Sequence, residues 1–261
     1  MSTGEPQLRL RIIGAGRAGR SIGMALEDAG FALAGYLGRD DDPRDAAAGV
    51  DLLLIATPDS AIAGVAEAVR PRTETVVAHL AGSLGIGVLA PHPRRAAIHP
   101  LMPLPDPRTG AARLVGATFA VAGDPMAWRV VEALRGRALP VAEPDRARYH
   151  AAACIASNHL VALLGQVDRV AATAGVPLDA YLGLVRATVD DVAAYGPAVA
   201  LTGPVARGDW ETVGRHLDAL PARERPAYQA MAEETARLAG TGLAGTRLEA
   251  AGTEREPVPC R

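Results

Sequence analysis

Residues 8–19 read LRLRIIGAGRAG, and this stretch decides the fold. Leu8–Ile13 is rich in aliphatic residues and predicts a β-strand, and a helical pattern follows the glycines up to about Ala29. A glycine turn between a strand and a helix offers free backbone N–H groups to a pyrophosphate, so the stretch predicts a dinucleotide-binding site. The predicted cofactor-binding residues of this turn are Gly14, Ala15, Gly16, Arg17, Ala18 and Gly19.

The first part of the chain continues the alternation of strands and helices. Further short apolar runs predict strands at Phe31–Leu37, Asp51–Ala56, Thr75–Leu80, Ala96–His99, Ala117–Ala122 and Ala138–Val141. Strands that alternate with helices are typical of parallel βαβ units. We therefore expect an α/β protein in which residues 1–144 form a Rossmann-type domain with a mostly parallel sheet.

The second part of the chain shows no convincing strand. Asp145 follows Glu143-Pro144 and predicts the start of a long helix that reaches about Ala174. Further helices are expected at about 178–195, 209–220 and 224–239. Residues 145–240 should therefore form an all-helical C-terminal domain for substrate binding and dimerisation, followed by a flexible tail at 241–261.

The composition excludes several classes of function. All 27 basic residues among the 261 are arginine, so no catalytic lysine is possible. A net charge of −2 and 3% aromatic residues argue against nucleic-acid binding. Two cysteines, Cys154 and Cys260, give no metal-ligand spacing, so we expect no metal site. No run approaches the roughly 20 apolar residues of a membrane span, and the N-terminus lacks a signal peptide, which predicts a cytoplasmic protein with no membrane partner.

The end of the second predicted strand selects the cofactor. An NAD-binding domain places an acidic residue there to bind the ribose 2′-hydroxyl, whereas this chain has Gly38 followed by Arg39. A guanidinium can pair with a 2′-phosphate, so Arg39 predicts NADP. NAD remains open if Asp40 occupies the acidic position, and Arg39 could instead be a solvated loop residue.

Three loops should meet at the carboxyl edge of the sheet, where ligands bind in open α/β folds. Thr57 and Pro58 follow the third strand, and Ser83 follows the fourth, so we expect all three to lie along the dinucleotide. His99 ends the fifth strand near the expected nicotinamide and could contact substrate or act as an acid. A buried structural role is the alternative for His99 and for His79.

Polar residues interrupt the apolar pattern of the long helix. At 100° per residue, His150, Cys154 and Ser157 share one face, and Asn158 lies at its edge. Polar side chains on a core-facing stripe must be paired or line a cavity, which predicts catalytic roles for His150, Ser157 and Asn158. Ordinary helix-packing contacts are the alternative, and Cys154 alone is more typical of a small apolar residue.

A second dense patch, LTGPVARGD at 201–209, should contribute to substrate binding. Arg207 could clamp a substrate carboxylate, with Thr202 beside it. A surface position is the alternative for Arg207, and Asp209 reads as a helix N-cap.

Taken together, these segments resemble the bacterial family that joins a Rossmann-like domain to a helical domain of formerly unknown function. The matching segments are IIGAGRAGRSIG (12–23), ATPDSAI (56–62), HLAGS (79–83), IHPLMPL (98–104), YHAAACIASNHLVALL (149–164) and LTGPVARGDWETVGRHL (201–217). That family is similar to the 6-phosphogluconate dehydrogenase-like reductases, which include ketopantoate reductase. The resemblance implies a homodimer formed through the helical domain and a ketopantoate reductase-like activity.

The resemblance is incomplete at the catalytic position. Ketopantoate reductase and its relatives use a lysine on a helix, with an asparagine four residues later. In the i, i+4, i+8 series that ends at Asn158, His150 takes the position where that lysine could lie, and Cys154 takes the middle position. The lysine is absent, so His150 or His99 would have to donate the proton.

The sequence thus predicts an NADP-dependent oxidoreductase that reduces a small keto or imine acid, and the resemblance implies 2-dehydropantoate as the most concrete candidate. The alternative from another class is a sensor or regulatory protein that binds NADP(H) without turnover. A methyltransferase that uses the glycine turn is a weaker option, because it leaves Arg39 and the helical half unexplained.

Overall fold

The computed structural model describes residues 7–241. The chain forms two compact units, the first ending at Asn158 and the second beginning at His159. The predicted boundary at Glu143-Pro144 therefore falls earlier in the chain than the observed division. The reason is that the segment after Pro144 packs on the first unit, where Arg146 is completely buried.

One sheet organises the first unit. Its strands, within residues 7–241, are β1 Arg9–Ile13, β2 Ala32–Leu37, β3 Leu52–Ile55, β4 Val76–His79, β5 Arg95–Pro100, β6 Thr118–Gly123 and β7 Arg137–Pro140. They lie in the order β2-β1-β3-β4-β5-β6-β7. The first five strands are mutually parallel, β6 runs antiparallel to β5, and β7 is parallel to β6. The predicted mostly parallel sheet is confirmed.

Helices cover both faces of this sheet. They are α1 Arg17–Asp28, α2 Ile62–Ala68, α3 Pro107–Leu114, α4 Met126–Ala133 and α5 Arg146–Cys154. Side chains from α1, α3 and α4 pack on one face with Leu52 and Leu54 of β3, and α2 packs on the other face with Leu53 and Ile55. Because both faces are buried, β3 is apolar at every position rather than alternating.

The reversal at β6 follows from the path of the connection after β5. The chain leaves β5 at the carboxyl edge, forms α3 against α1, and enters β6 at the same edge, where Pro100 pairs with Phe119. At the opposite edge Arg94 and Asp124 join the start of β5 to the end of β6, with 2.9 Å between Nε and Oδ2. The helix therefore returns the chain to the edge it left, instead of crossing to start a parallel strand.

The second unit is helical throughout its described residues. It contains α6 Leu160–Thr173, α7 Asp179–Tyr195, α8 Pro197–Ala200, α9 Trp210–Ala219 and α10 Arg225–Ala239. A small apolar core joins Val205, α9 and α10. The short α8 is an element that the sequence pattern did not predict. None of the helices in residues 7–241 is long and apolar enough to cross a membrane. Apart from Thr241, the predicted flexible tail lies outside the described residues, as does Cys260.

The predicted long helix from Asp145 to Ala174 is not one regular helix. A π-helical turn, Ile155–His159, separates α5 from α6. Asp145 precedes α5 as expected, but its side chain pairs with Arg148 at 2.7 Å and makes no capping hydrogen bond. Such turns widen the helix by one residue and are common at functional sites.

One ion pair is central to the second unit. Glu224 is buried, and its carboxylate accepts hydrogen bonds from Arg169 Nε at 2.8 Å and Nη2 at 3.0 Å. Gln166 donates to the Glu224 carbonyl at 2.9 Å. This arrangement joins α6 to the start of α10. The hydrogen bond from Arg169 lowers the pKa of the Glu224 carboxyl.

We expect Glu224→Gln to destabilise the second unit at pH 7, because it leaves Arg169 without its carboxylate. Because the Glu224 pKa is lowered, the carboxylate stabilises the fold at any pH above the ordinary carboxyl pKa of about 4.5. In wild type this stabilisation should fade as the pH falls below about 4.5, and in the variant it should be missing. Urea unfolding in a Trp128→Phe background, where Trp210 is the remaining tryptophan, measures it. Glu234→Gln, at an exposed pair with Arg237, is the control, and equal losses in both variants would contradict the prediction.

Candidate functional site

The glycine turn has the geometry of an anion-binding loop. Gly14 has φ of +104°, and a β-carbon there would lie 2.6 Å from the Ala56 carbonyl oxygen, so only glycine fits. A β-carbon at Gly16 would meet nothing within 4 Å, which leaves room for a ligand against the backbone. The first turn of α1, from Arg17, carries no acidic residue and no side-chain cap, so its N–H groups stay available to a phosphate.

Thr57 supplies a second indication of a bound ligand. It follows β3, next to the glycine turn, and its hydroxyl is buried without a hydrogen-bond partner in the described part of the chain. A buried hydroxyl without a partner costs free energy, and a ligand oxygen at this point would relieve that cost. With the open face of Gly16, this observation fits a dinucleotide pyrophosphate.

A cavity of about 1060 Å³ opens beside this loop. It is lined by residues of the glycine turn, of the loop after β3, of the segment 99–105 and of one face of α5 and the π-turn. Within the described residues, its lining contains Arg17 and two histidines but no carboxylate. An anionic ligand therefore meets no charge repulsion there.

Three rings form a cluster in the cavity wall. The Tyr149 hydroxyl lies 2.7 Å from His99 Nδ1, and His99 stacks edge-to-face on both Tyr149 and His150. Gly82 makes this packing possible, because a β-carbon there would lie 2.9 Å from His99 Nε2 and collide with the His150 ring. His150 Nε2 is 4.0 Å from the Cys154 thiol. No group of three or more metal-ligating side chains is arranged to hold an ion anywhere in residues 7–241.

A buried cation lies beneath the cluster. The Arg146 side chain is completely buried, and its Nη1 makes only long hydrogen bonds, 3.4 Å each, to the carbonyls of Ala81 and Gly82. Its Nε and Nη2 have no hydrogen-bond partner among the described residues. Burial lowers the pKa of the Arg146 guanidinium, and Glu143 and Tyr149 oppose that effect. A guanidinium stays protonated in proteins, so the site carries a fixed positive charge.

Burial keeps two nearby histidines neutral. It lowers the pKa of His99 to about 4, and the neighbouring charges of His150 and Arg146 act in the same direction. It also lowers the pKa of His79 to about 4. The Ala81 N–H donates to His79 Nδ1 at 3.2 Å, so the ring proton must sit on Nε2, which donates to the Gly85 carbonyl at 3.2 Å. His79 is therefore a structural residue that holds the loop after β4.

The predicted catalytic residues of the first unit lie together. His99, His150, Ser157 and Asn158 all line the cavity. The histidines are half-buried, whereas Ser157 and Asn158 are exposed at the π-turn. The structure places these four residues within reach of one bound molecule, and their catalytic roles stay predictions.

The predicted cofactor residues divide into three groups. Those lining the cavity are Gly16, Arg17, Ala18, Thr57 and Pro58. Gly14 and Ala15, in the same turn, and Gly19, in the first turn of α1, do not line the cavity. Arg39 is exposed two residues after β2, and the Ser83 hydroxyl donates to Asp59 at 3.3 Å rather than lining the cavity.

The predicted substrate-binding residues lie in the second unit. Thr202 and Arg207 are both exposed, in the loop between α8 and α9. Asp209 caps α9 as predicted, since its side chain accepts from the Thr212 N–H at 3.0 Å. Nothing in the fold of this loop assigns a ligand to Arg207, so its role also stays a prediction.

Sequence reasoning overlooked Tyr149 and Arg146. The helical spacing i, i+3, i+4 places Arg146, Tyr149 and His150 on one face of α5, so the spacing could have grouped them. The pattern did not reveal that this face packs against the sheet edge, because an arginine next to Asp145 is typical of an exposed helix start.

The comparisons with known proteins agree with this architecture. Residues 39–104 match the family model described as a Rossmann-like domain, and residues 117–235 match the model described as a domain of unknown function, DUF2520. No curated protein of similar sequence was found. The second match begins at the last two strands of the sheet, so it is not confined to the helical unit.

Solved structures share the fold over most of the chain. Protein TM1727 from Thermotoga maritima is 21% identical, with a TM-score of 0.69 over 88% of this chain and 98% of its own. A reductive aminase from Aspergillus terreus, solved with NADPH and ethyl levulinate, is 15% identical, with a TM-score of 0.65 over 96% and 100%. The 1-pyrroline-5-carboxylate reductase of Streptococcus pyogenes is 14% identical, with a TM-score of 0.61 over 88% and 99%.

We expect two of the six histidines to titrate near pH 4 in the folded protein, and NMR of the imidazole Cε1–H groups checks this. Loss of one signal in His79→Asn and in His99→Asn assigns them. Because these pKa values are lowered from about 6.5, the unfolded chain binds more protons between pH 6.5 and 4, and stability should decrease as the pH falls through that window. A midpoint above 6 for either histidine would contradict the burial argument.

Proposed function

We propose that the protein is an NADP-dependent oxidoreductase that reduces the carbonyl or imine group of a small acid. The observation that carries this proposal is that one cavity is bounded both by an anion-binding glycine turn and by a cluster of proton-bearing rings. A nucleotide and a reacting group bound there would be adjacent. The shared fold with reductases that act on C=O or C=N groups supports the same class of reaction.

The glycine turn and the loop after β3 would hold the cofactor. The N–H groups at the start of α1 and the Thr57 hydroxyl would bind the pyrophosphate, and Arg39 would pair with the 2′-phosphate of NADP. When bound, the reduced dinucleotide supplies the hydride. NAD is the alternative, with Asp40 as the residue that would bind the ribose. Ser83, held by Asp59, would position the loop after β4.

The substrate would be a small keto or imine acid. We propose Ser157 and Asn158 as donors that polarise the reacting bond. Arg207 and Thr202, in the second unit, are proposed as a carboxylate-binding pair. The resemblance to ketopantoate reductase makes 2-dehydropantoate the first compound to test, and the shared fold with an imine-reducing enzyme makes 1-pyrroline-5-carboxylate the second.

The proton would come from the His99–Tyr149–His150 cluster. Because the chain contains no lysine, the ammonium donor of related reductases is unavailable to it, and the donor must be an imidazole, a hydroxyl or water. The buried charge of Arg146 would stabilise negative charge that develops on Tyr149.

The missing lysine also favours a second candidate, a sensor that binds NADP(H) without turnover. NADPH oxidation, followed at 340 nm with 2-dehydropantoate, 1-pyrroline-5-carboxylate and a panel of other 2-keto acids, distinguishes the two. Turnover of any of these acids supports the reductase. Tight NADPH binding without oxidation across the panel would contradict the reductase and support the sensor.

Arg39→Asp should weaken NADPH binding by at least about 10-fold and leave NADH binding nearly unchanged, because it places a carboxylate beside the 2′-phosphate. Fluorescence titration of both nucleotides measures the effect. Arg72→Asp is the matched control, since Arg72 is also exposed but precedes β4 at the opposite edge of the sheet. Equal weakening of NADH and NADPH would remove Arg39 as the selector.

We also propose a homodimer that forms through the helical unit. The helix α7 has 17 residues and none of them is buried. Its exposed apolar side chains, together with the one on α8, are Leu184, Val189, Val192, Tyr195 and Val199. Exposed apolar surface of this kind marks an interface, and a second copy of the chain presents the same surface for a two-fold contact. The cytoplasmic location stays a prediction from the sequence.

The double variant Leu184→Glu, Val189→Glu should raise the dimer dissociation constant by at least about 10-fold, because association would bury two unpaired charges. Sedimentation velocity over a concentration series measures this. Val115→Glu, an exposed apolar position of the first unit, is the control and should leave the dimer intact. A wild-type protein that is monomeric throughout the series would contradict the proposal.

A further inference from the structure

Tyr149 is the hydroxyl group best placed in the cavity wall. It is half-buried on α5, and its Oη is 2.7 Å from His99 Nδ1, the length of a strong hydrogen bond. By contrast, Ser157 and Asn158 are exposed, and the contact of His150 Nε2 with the Cys154 thiol, at 4.0 Å, is longer than the bond between Tyr149 and His99. Tyr149 is therefore held in one position before any substrate arrives.

The neighbouring histidine is a poor acid but a good hydrogen-bond partner. With its pKa lowered to about 4, His99 is neutral at physiological pH, and a neutral imidazole is a much weaker acid than a phenol. In the tautomer with its proton on Nδ1, His99 donates to Tyr149 Oη. The phenol proton then points away from His99 and can be donated to another molecule.

Arg146 gives the same hydroxyl an electrostatic bias. Burial raises the pKa of the Tyr149 phenol above its ordinary value, and the charge of Arg146, three residues earlier on the same face of α5, opposes that rise. A buried guanidinium with two nitrogens that have no partner within residues 7–241 is costly, and an apolar side chain at this position would cost less. Stabilising a phenolate nearby is a physical reason for the charge to be there.

We propose that Tyr149 is the proton donor of the reduction, with His99 and Arg146 as positioning residues that stabilise its phenolate. This inference rests on the proposed function. The substrate carbon gains a hydride, the electron pair of its double bond moves to the oxygen or nitrogen, and that atom takes the proton from Tyr149 Oη. The phenolate accepts the His99 Nδ1–H hydrogen bond until solvent returns a proton.

The titratable groups near the Tyr149 phenol and near Arg146 lie on α5, on the turn before α5 and on β5. Arg146 and His150 share its helix, Glu143 precedes that helix, and His99 reaches it from β5. Of these, His99 contacts Oη, and the charge of Arg146 acts on its pKa. Replacing either residue should therefore change the pKa of the phenol, whereas a substitution elsewhere on α5 should not.

Tyr149→Phe removes the proton and keeps the ring that packs on His99. We expect kcat to fall at least about 100-fold with the acid that wild type reduces, while KM and the NADPH dissociation constant stay within about twofold. Tyr228→Phe is a matched control, because Tyr228 makes the same 2.7 Å, edge-to-face contact with His216 in the second unit. A kcat of Tyr149→Phe equal to wild type would overturn the proposal.

A second measurement uses the protein without nucleotide. Tyrosinate absorbance is followed against pH, and the difference between wild type and Tyr149→Phe isolates the Tyr149 titration. Arg146→Met should move this titration to higher pH, Arg146→Lys should restore it in part, and Arg148→Gln, an exposed arginine on another face of α5, should leave it unchanged. If Arg146→Met does not fold, His99→Leu is the second variant. It removes the hydrogen-bond donor to the phenolate and should also move the Tyr149 titration to higher pH.

The two measurements separate failure of this inference from failure of the proposed function. Wild-type turnover that Tyr149→Phe leaves intact overturns the role of Tyr149 alone. A titration of Tyr149 that neither Arg146 nor His99 substitution moves overturns the positioning roles. Absence of wild-type turnover across the panel overturns the proposed function, and with it the proton donation.

Discussion

The parallel strands β1, β3, β4 and β5 all end at one edge of the sheet, and the candidate site depends on this constraint. Residues far apart in the chain become neighbours because each lies at or just after the carboxyl end of a strand that ends at this edge. The glycine turn comes from β1, Thr57 from β3, Gly82 from β4 and His99 from β5. The edge thus combines an anion-binding turn with a histidine.

Packing of α5 on this edge completes the site. Arg146 is buried against the carbonyls of Ala81 and Gly82, and this contact brings Tyr149 and His150 to His99. The contact is costly by itself, because a guanidinium loses its hydration and gains only two long hydrogen bonds. Partial burial of the cluster keeps His99 neutral and strengthens the charge interactions around it.

Much of the fold could be predicted because its causes are local. The buried strand β3 is apolar at four consecutive positions, and the glycines that follow β1 have the spacing typical of a dinucleotide-binding turn. The antiparallel β6 could not be predicted in the same way, since its direction depends on α3 returning to the edge that β5 had reached. The π-turn at Ile155–His159 was also missed, because it leaves the local helical pattern nearly unchanged.

The candidate site also has features that the sequence predicted and features that only the tertiary structure showed. The sequence by itself determined the glycine turn, the two-part organisation of the chain, the absence of lysine, and the choice of His99, His150 and Asn158 as residues of interest. Only the tertiary structure decided that Tyr149 bonds to His99 and that Arg146 is buried beneath them. The physical reason is that spacing along a helix determines which residues share a face, whereas burial and pKa depend on what that face packs against.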